Sequence, residues 1–314
     1  MEQGWARQDA FHVLSREEIQ QILVPAGMVI IHAEPIHEGL ANSNYKLTTD
    51  DGKLFVFRVC QNGLGAKPLQ IAISRRLTSS LPVPKVIEEL PETPYMVYSW
   101  LPGQTIQTLQ SEGRIDEIID AAPSIGQAIA KMASRTYGHC GFLNPKLKVI
   151  EPWGNLYNAF QNYTETHGRD AYLKGRMTLE MLMEIIRCWE RRRPLLEKVM
   201  ERPCLSHGDF KASNLLIANG KLSGILDWEF VHAGSLLLDA GQVLRYTGEL
   251  RGTFAMGLER GMKAGKLDLP DDWQTLARTV DLMNLVDFAN RPKISDIQLA
   301  QVIGLIQESL TALT

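Results

Sequence analysis

The residues able to do chemistry are concentrated between Leu205 and Arg245, in LSHGDFKASNLLIANGKLSGILDWEFVHAGSLLLDAGQVLR. Asn219-Gly220 lies between two apolar runs, a strong hairpin signal. With those two residues as the turn, Ala218 faces Lys221 and Asn214 faces Ile225. Asp227 then shares a face with Ile225, which makes Asn214 and Asp227 diagonal neighbours ~7–8 Å apart at their backbones. Glu229 has the same parity if the strand continues. Hard oxygen donors of this kind suit Mg²⁺ held jointly with phosphate oxygens. Asp209 precedes Asn214 by five residues, in the loop entering the hairpin. A carboxylate there can accept the proton of an attacking hydroxyl. Lys211, two residues on, can stabilise negative charge on a transferring phosphoryl group.

Those residues need a scaffold, and the composition supplies one. The chain has 314 residues, 45% hydrophobic and 22% charged, ordinary globular values. At ~150 residues per domain, two units are expected. A net charge of −3 excludes a strongly basic nucleic-acid binder and a polybasic membrane anchor. No apolar stretch of membrane-spanning length and no apolar signal core are found. The four cysteines are widely spaced with no CxxC, as expected of reduced thiols in a cytoplasmic protein.

The first third reads as strands with two helices. Ser15–Leu23 opens with a capping box, Ser15 and Glu18. Strand-like runs follow in MVIIHAEPI, NYKLTT and KLFVFRVC, the last two separated by an Asp50-Asp51-Gly52 turn. Leu69–Leu77 is a helix candidate, and PKVIEEL and PYMVYSW are two further strands. Arg58 sits on an otherwise apolar strand, where a cation is costly to bury unpaired, so a phosphate partner is expected. Beyond LPGQT the pattern turns helical: Ser124–Met132, most of Leu156–Lys198, and Ser295–Leu310 with a Ser295/Gln298 capping box. The expected organisation is α+β, a small strand-rich lobe (1–98), a hinge (99–103) and a larger helical lobe (104–314). A cleft between two lobes is the natural ligand site.

HGDFKASN followed by ILDWEF resembles the catalytic and metal-binding motifs of the aminoglycoside phosphotransferase family, part of the wider protein-kinase-like fold. The ordered set carries the resemblance: Asp-x4-Asn and then, thirteen residues on, Asp. It implies Asp209 as catalytic base, Asn214 and Asp227 as Mg²⁺ ligands, and His207 as a structural residue of the catalytic loop. Lys211 is similar to the lysine of the protein-kinase motif HRDLKxxN. Glu229, in DWE where protein kinases have DFG, would help hold a second Mg²⁺, and Asp239 looks like the buried aspartate that braces the loop. In the N-terminal lobe EGLANSNYKL looks like the nucleotide-covering loop, with Gly39, Ala41 and Ser43 as its small residues. KLFVFRVC resembles the third strand, which implies that Arg58 holds the α/β-phosphates and Val56 roofs the adenine. Gln70 falls where the family's ion-pairing glutamate stands, and a neutral Gln70 cannot form that pair. MVYSWLPG looks like the hinge, with the backbone of Ser99, Trp100 and Leu101 facing adenine and Leu216 as its floor. The resemblance spans most of residues 28–314, with 145–200 matching only loosely.

The expected activity is transfer of the γ-phosphoryl of ATP or GTP, with Mg²⁺, to a hydroxyl of a small molecule. Nucleic acid and membrane partners are not expected. Asp281, Asn284 and Asp287 form a column at i, i+3 spacing on a C-terminal helix. The column reads either as a solvated polar outer face or, because the resemblance places that helix beside the acceptor, as contacts for a neutral or cationic hydroxylated acceptor, with Asp281 ahead of the others. Choline-like, amino-alcohol, sugar and macrolide acceptors all remain open. A non-catalytic nucleotide-binding module is the alternative, favoured by Gln70 and opposed by the intact Asp209/Asn214/Asp227 set. A metal-dependent hydrolase built on His207 and Asp209 would need further ligands that the sequence lacks.

Overall fold

The computed structural model describes residues 10–37, 42–60, 65, 67–245 and 248–313. It opens with α1 (Arg16–Leu23), whose Ser15/Glu18 capping box is present as expected. Strands β1 (Ile30–Ile36), β2 (Ser43–Thr49) and β3 (Leu54–Val59) follow, then α2 (Lys67–Leu77), β4 (Val86–Glu88) and β5 (Tyr95–Ser99). They make an antiparallel five-stranded sheet in the order β1-β2-β3-β5-β4.

Strand alternation gives this sheet two different faces. Tyr45, Leu47, Phe57 and Val97 lie on one, packed with Ile19 and Leu23 of α1 into a separate small core. The other carries Asn44, Val56, Arg58 and Tyr98 toward a cavity shared with the remainder of the chain. One set of short strands therefore serves stability on one side and ligand contact on the other.

The remainder is mostly helical. After β6 (Gln104–Thr105) come α3 (Ile106–Ser111), α4 (Ile115–Ala133), β7 (Gly141–Leu143), β8 (Val149–Pro152), α5 (Leu156–Leu173) and α6 (Leu179–Met200). Then follow β9 (Cys204–Ser206), β10 (Leu215–Ala218), β11 (Lys221–Ile225), β12 (His232–Gly234), α7 (Leu236–Leu244), α8 (Arg251–Ala264), α9 (Trp273–Asn290) and α10 (Asp296–Leu313). Helix α4 begins nine residues before the expected Ser124 and keeps Pro123 inside it. Burial of Ile118, Ala121 and Ala122 on the same stripe as Ile125 and Ile129 outweighs the ~3 kcal/mol that an internal proline costs. The expected Leu156–Lys198 segment is two helices, each capped at its start by a side chain, Asn155 and Thr178. The Ser295/Gln298 box caps α10.

Among the described residues no helix is long and apolar enough to cross a membrane. The four cysteines are buried free thiols.

Candidate active site

The Asn219-Gly220 turn forms, and Ala218 pairs with Lys221 as expected. The expected pairing of Asn214 with Ile225 does not. A bulge leaves Ser223 unpaired, so Leu216 pairs with Gly224 and Leu215 with Ile225. Asn214 instead faces Leu226, whose N–H donates to the Asn214 carbonyl at 2.8 Å. The bulge has a visible cause. Ser223 Oγ donates to Pro102 O at 2.6 Å, tying the hairpin to the segment after β5. Gly103, at φ 117, lets that segment approach, since a Cβ there would lie 2.4 Å from Ile217 O.

Strand parity therefore does not bring Asn214 and Asp227 together. Asp227 adopts a left-handed backbone, φ 63 and ψ 65, and this turn swings its carboxylate into the cavity that Asn214 also lines. A non-glycine residue held there marks a conformation that the surroundings impose.

Asp209 lies against both of its expected neighbours. Lys211 Nζ stands 3.3 Å from its Oδ2. Asn214 Nδ2 donates to the same Oδ2 at 2.8 Å and to Asp209 O at 2.9 Å. With its amide nitrogen spent on Asp209, Asn214 presents its carbonyl oxygen as the donor atom for a cation. His207 is fully buried and lies beneath the loop. Its Nε2 lies 2.9 Å from Leu226 O, and its Nδ1 accepts from Asp209 N–H at 3.2 Å. Burial pushes its pKa below the ordinary histidine range. Both contacts are satisfied by one neutral tautomer, with the proton on Nε2, so His207 orients the loop without adding charge.

Helix α7 braces the loop from behind. Asp239 accepts from His207 N–H at 2.9 Å and from Gly208 N–H at 3.0 Å. Burial raises its carboxyl to about 7, against the lowering effect of those two donors. Gln242 completes the clamp: its Oε1 accepts from Phe210 N–H at 2.6 Å and its Nε2 donates to Gly208 O at 2.7 Å. The sequence reading missed Gln242. Its position three residues after Asp239, on the same helix face, was the available signal.

Arg58 projects from β3 into the cavity. Its Nη1 meets Asp227 Oδ1 at 3.2 Å, and its Nε donates to Asn44 Oδ1 at 3.0 Å. Gln70, buried on α2, comes within 3.5 Å of Nη1 and accepts from Tyr98 OH at 2.9 Å. Burial opposes the Arg58 charge, yet Asp227 and weaker neighbours hold its pKa above the usual value. Gln70 is neutral, and Asp227 supplies the countercharge to Arg58. Asn44 and Tyr98 are partners that the sequence reading did not name.

The cavity holds about 320 Å³. Val56, Ser99, Trp100, Leu101 and Leu216 line it, together with Arg58, Asn214 and Asp227. The N–H groups of Ser99 and Trp100 donate to Lys85 O and Leu54 O. Ser99, Trp100 and Leu101, whose backbone is expected to face adenine, all line the cavity. The expectation for Ser43 is corrected. It is fully buried at the start of β2, where its Oγ accepts from His12 N–H at 2.8 Å. Gly39 and Ala41 lie outside the described residues. Glu229 sits half-buried on the short turn Trp228–Phe230 and is not among the residues lining the cavity, although its charge is felt at Arg58.

The acidic column on α9 is not a set of open acceptor oxygens. Asp281, 4% exposed, forms a two-pronged ion pair with the buried Arg245, Arg245 Nε donating to Asp281 Oδ2 at 2.7 Å. Asn284 Nδ2 donates to Asp281 at 3.2 Å, and Asp287 accepts from Tyr163 OH at 2.7 Å. Charge needs a partner when buried, and the fold supplies one from α7.

The model of the phosphotransferase enzyme family matches residues 32–277. The chain belongs to that family. A search of curated protein sequences returns no significant match. Among solved structures, the aminoglycoside phosphotransferase APH(4)-Ia is similar at 16% identity, with 95% of this chain and 99% of that one covered and a TM-score of 0.69. A putative fructosamine-3-kinase from Thermobifida fusca is similar at 15% identity, 93% and 97% coverage and a TM-score of 0.63. The macrolide 2'-phosphotransferase MphH from Brachybacterium faecium is similar at 14% identity, 95% and 97% coverage and a TM-score of 0.63. At these identities the likeness speaks for the kinase-like fold. The phosphotransferase's strand-rich N-terminal sheet and helical C-terminal region are arranged as in those structures.

Proposed function

We propose that this phosphotransferase is a small-molecule kinase, moving the γ-phosphoryl of ATP or GTP to a hydroxyl of a neutral or cationic acceptor. In this reading residues 1–98 hold the nucleotide, 99–103 are the hinge, and 104–314 carry catalysis and the acceptor. One observation carries it: Asp209, hydrogen-bonded to Asn214, adjoins a cavity into which Asn214, Asp227 and Arg58 all project.

The donor set fits Mg²⁺. Asn214 and Asp227 bring one amide oxygen and one carboxylate, and Mg²⁺ commonly takes one or two protein carboxylates with phosphate oxygens and water completing six ligands. When bound, the ion neutralises charge on the β- and γ-phosphates. Arg58 binds phosphate oxygens from the opposite wall. Val56 and Leu216 sandwich the base, and Leu101 at the hinge meets its edge.

Asp209 Oδ orients the acceptor hydroxyl and takes its proton as the oxygen–phosphorus bond forms and the bond from γ-phosphorus to the β–γ bridging oxygen breaks. The diphosphate leaves. Lys211, 3.3 Å from Asp209, stabilises the charge on the transferring group. His207, Asp239 and Gln242 hold the loop so that little reorganisation is needed at the moment of transfer.

The relatives support the class. A solved complex of APH(4)-Ia contains AMP-PNP and hygromycin B, and another phosphotransferase was solved with streptomycin and ATP. The test is a coupled ADP-release assay with Mg–ATP and Mg–GTP against a panel of hydroxylated small molecules. Acceptor-dependent ADP release that disappears in Asp209→Asn is expected. Release equal in the variant and the wild type would overturn the assignment.

A further inference from the structure

Lys67 opens α2 and is 5% exposed. Its Nζ donates to three backbone carbonyls. Two belong to the loop between β4 and β5, Leu90 O at 2.8 Å and Thr93 O at 2.9 Å. The third is Tyr95 O at 2.9 Å, on the first residue of β5. An ammonium has three N–H donors, so this cage uses all of them. The loop is shaped around it. Leu90 and Glu92 hold left-handed backbones, φ 43 and φ 59, although neither is glycine. Such conformations persist where the surroundings over-determine them.

The same loop takes a further donor. Pro94 O accepts from Cys60 N–H at 2.8 Å, just beyond the end of β3. The loop therefore joins β3, α2 and β5, and each carries a cavity residue close to its tie. Arg58 is two residues before Cys60, Gln70 three after Lys67, and Tyr98 three after Tyr95. Those cavity residues meet. Tyr98 OH donates to Gln70 Oε1 at 2.9 Å, and Arg58 Nη1 lies 3.5 Å from the same oxygen. The guanidinium stands 5.4 Å from the centre of the Tyr98 ring.

Lys67, Gln70 and Ser74 share one buried stripe of α2. Ser74 Oγ accepts from Val86 N–H at 2.7 Å and donates to Pro84 O at 2.9 Å, which ties the middle of the helix to β4. Lys67 holds the first turn, and Gln70 with it. We infer that Lys67 is a positioning residue for Arg58: its caged ammonium fixes the start of α2 and the start of β5, so that Gln70 and Tyr98 hold the guanidinium ready for phosphate. The inference rests on the kinase reading above and extends it to a residue outside the cavity. A buried ammonium must recover the hydrogen bonds it loses to water, and a single nitrogen among convergent carbonyls does so in a way a planar guanidinium cannot copy.

The test uses the whole chain and two ligands, Mg–ATP, which offers phosphates, and adenosine, which offers none. Kd values are measured for the wild type, Lys67→Met, Lys67→Arg, Tyr98→Phe and the Lys67→Met/Tyr98→Phe pair. Lys67→Met should raise the Mg–ATP Kd ~5–10-fold, the worth of about one hydrogen bond, and leave the adenosine Kd within about twofold. Lys67→Arg should give a smaller rise in the same constant. Tyr98→Phe, with Lys67 intact, should raise the Mg–ATP Kd by itself. Adding Lys67→Met to it should cost less than about twofold more, since both cut one link. The inference is overturned if Lys67→Met leaves the Mg–ATP Kd unchanged, if both ligands weaken by the same factor, as general loosening of the fold would make them, or if the two substitutions multiply in full. If Lys67→Met does not fold, Lys67→Arg and Tyr98→Phe decide the matter, and an unchanged Mg–ATP Kd in either overturns the inference. A wild type that binds Mg–ATP no more tightly than adenosine strikes the kinase reading and this inference with it. A wild type that prefers Mg–ATP, with indifferent variants, strikes this inference alone.

Discussion

Arg58 and Asp227 are 169 residues apart in sequence and meet at 3.2 Å across the cavity, joining the third strand of the N-terminal sheet to the chain just beyond the β10–β11 hairpin. Both side chains are largely shielded, 13% and 23% exposed. In the proposed function the pair sets Asp227 against two claims, the guanidinium and any cation brought in with a nucleotide. Gln70, being neutral, leaves that competition unrelieved.

Gln70→Glu places a second carboxylate within reach of Arg58 Nη1 and Tyr98 OH. Arg58 is then shared, and an Asp227 oxygen is released for Mg²⁺. The expected result is Mg–ATP affinity tighter by roughly three- to tenfold, ~0.7–1.4 kcal/mol. Isothermal titration calorimetry reads it directly, and weaker binding in the variant contradicts the competition.

Asp227→Ala removes the carboxylate proposed for Mg²⁺ and leaves Arg58 without its countercharge. Mg²⁺-dependent nucleotide binding should be lost. Asn214→Ala should weaken it and also free Asp209 from its amide contact. Unaltered Mg–ATP affinity in Asp227→Ala would place the metal elsewhere.

Asp209→Asn keeps the shape of the loop but cannot accept the hydroxyl proton. Turnover should fall ~10²–10⁴-fold while the nucleotide Kd stays within about twofold. Single-turnover kinetics with a working acceptor checks both halves of the expectation.

The Asp239 carboxyl is raised to about 7 by burial, against ~3.9 in an unfolded chain. Between those values the folded state binds the extra proton. The Asp239 contribution to stability is therefore full below about pH 4 and is lost as pH rises through about 7. Asp239→Asn abolishes this slope. Urea midpoints of wild type and variant, measured at several pH values from 4 to 8, should diverge in that sense, and parallel curves would count against it.

Asp281→Ala breaks a buried ion pair and removes the Asp281 carboxylate from Arg245, which is 7% exposed. The expected cost is ~3–5 kcal/mol of stability. Denaturant unfolding should show it clearly, whereas the acceptor KM of the folded fraction should hold steady. A raised KM with unchanged stability would restore Asp281 to the acceptor site.

Much of this protein is legible in local sequence. Capping boxes at Ser15 and Ser295, the Asn219-Gly220 turn and the alternation in NYKLTT and KLFVFRVC all act within a few residues, so they can be read without knowing what packs where. The Asp209, Asn214, Asp227 cassette is legible for the same reason, as a loop and a hairpin contiguous in the chain. Packing decided the rest. The Ser223 bulge accompanies a hydrogen bond to Pro102 O, in a segment brought close by Gly103, and Asp227 enters the cavity through a left-handed turn that no periodicity announces. The carboxylate of Asp281 looks available in sequence and is taken in the fold, because a charge entering a low-dielectric interior must find its partner there, and Arg245 lies 36 residues away at the C-cap of α7.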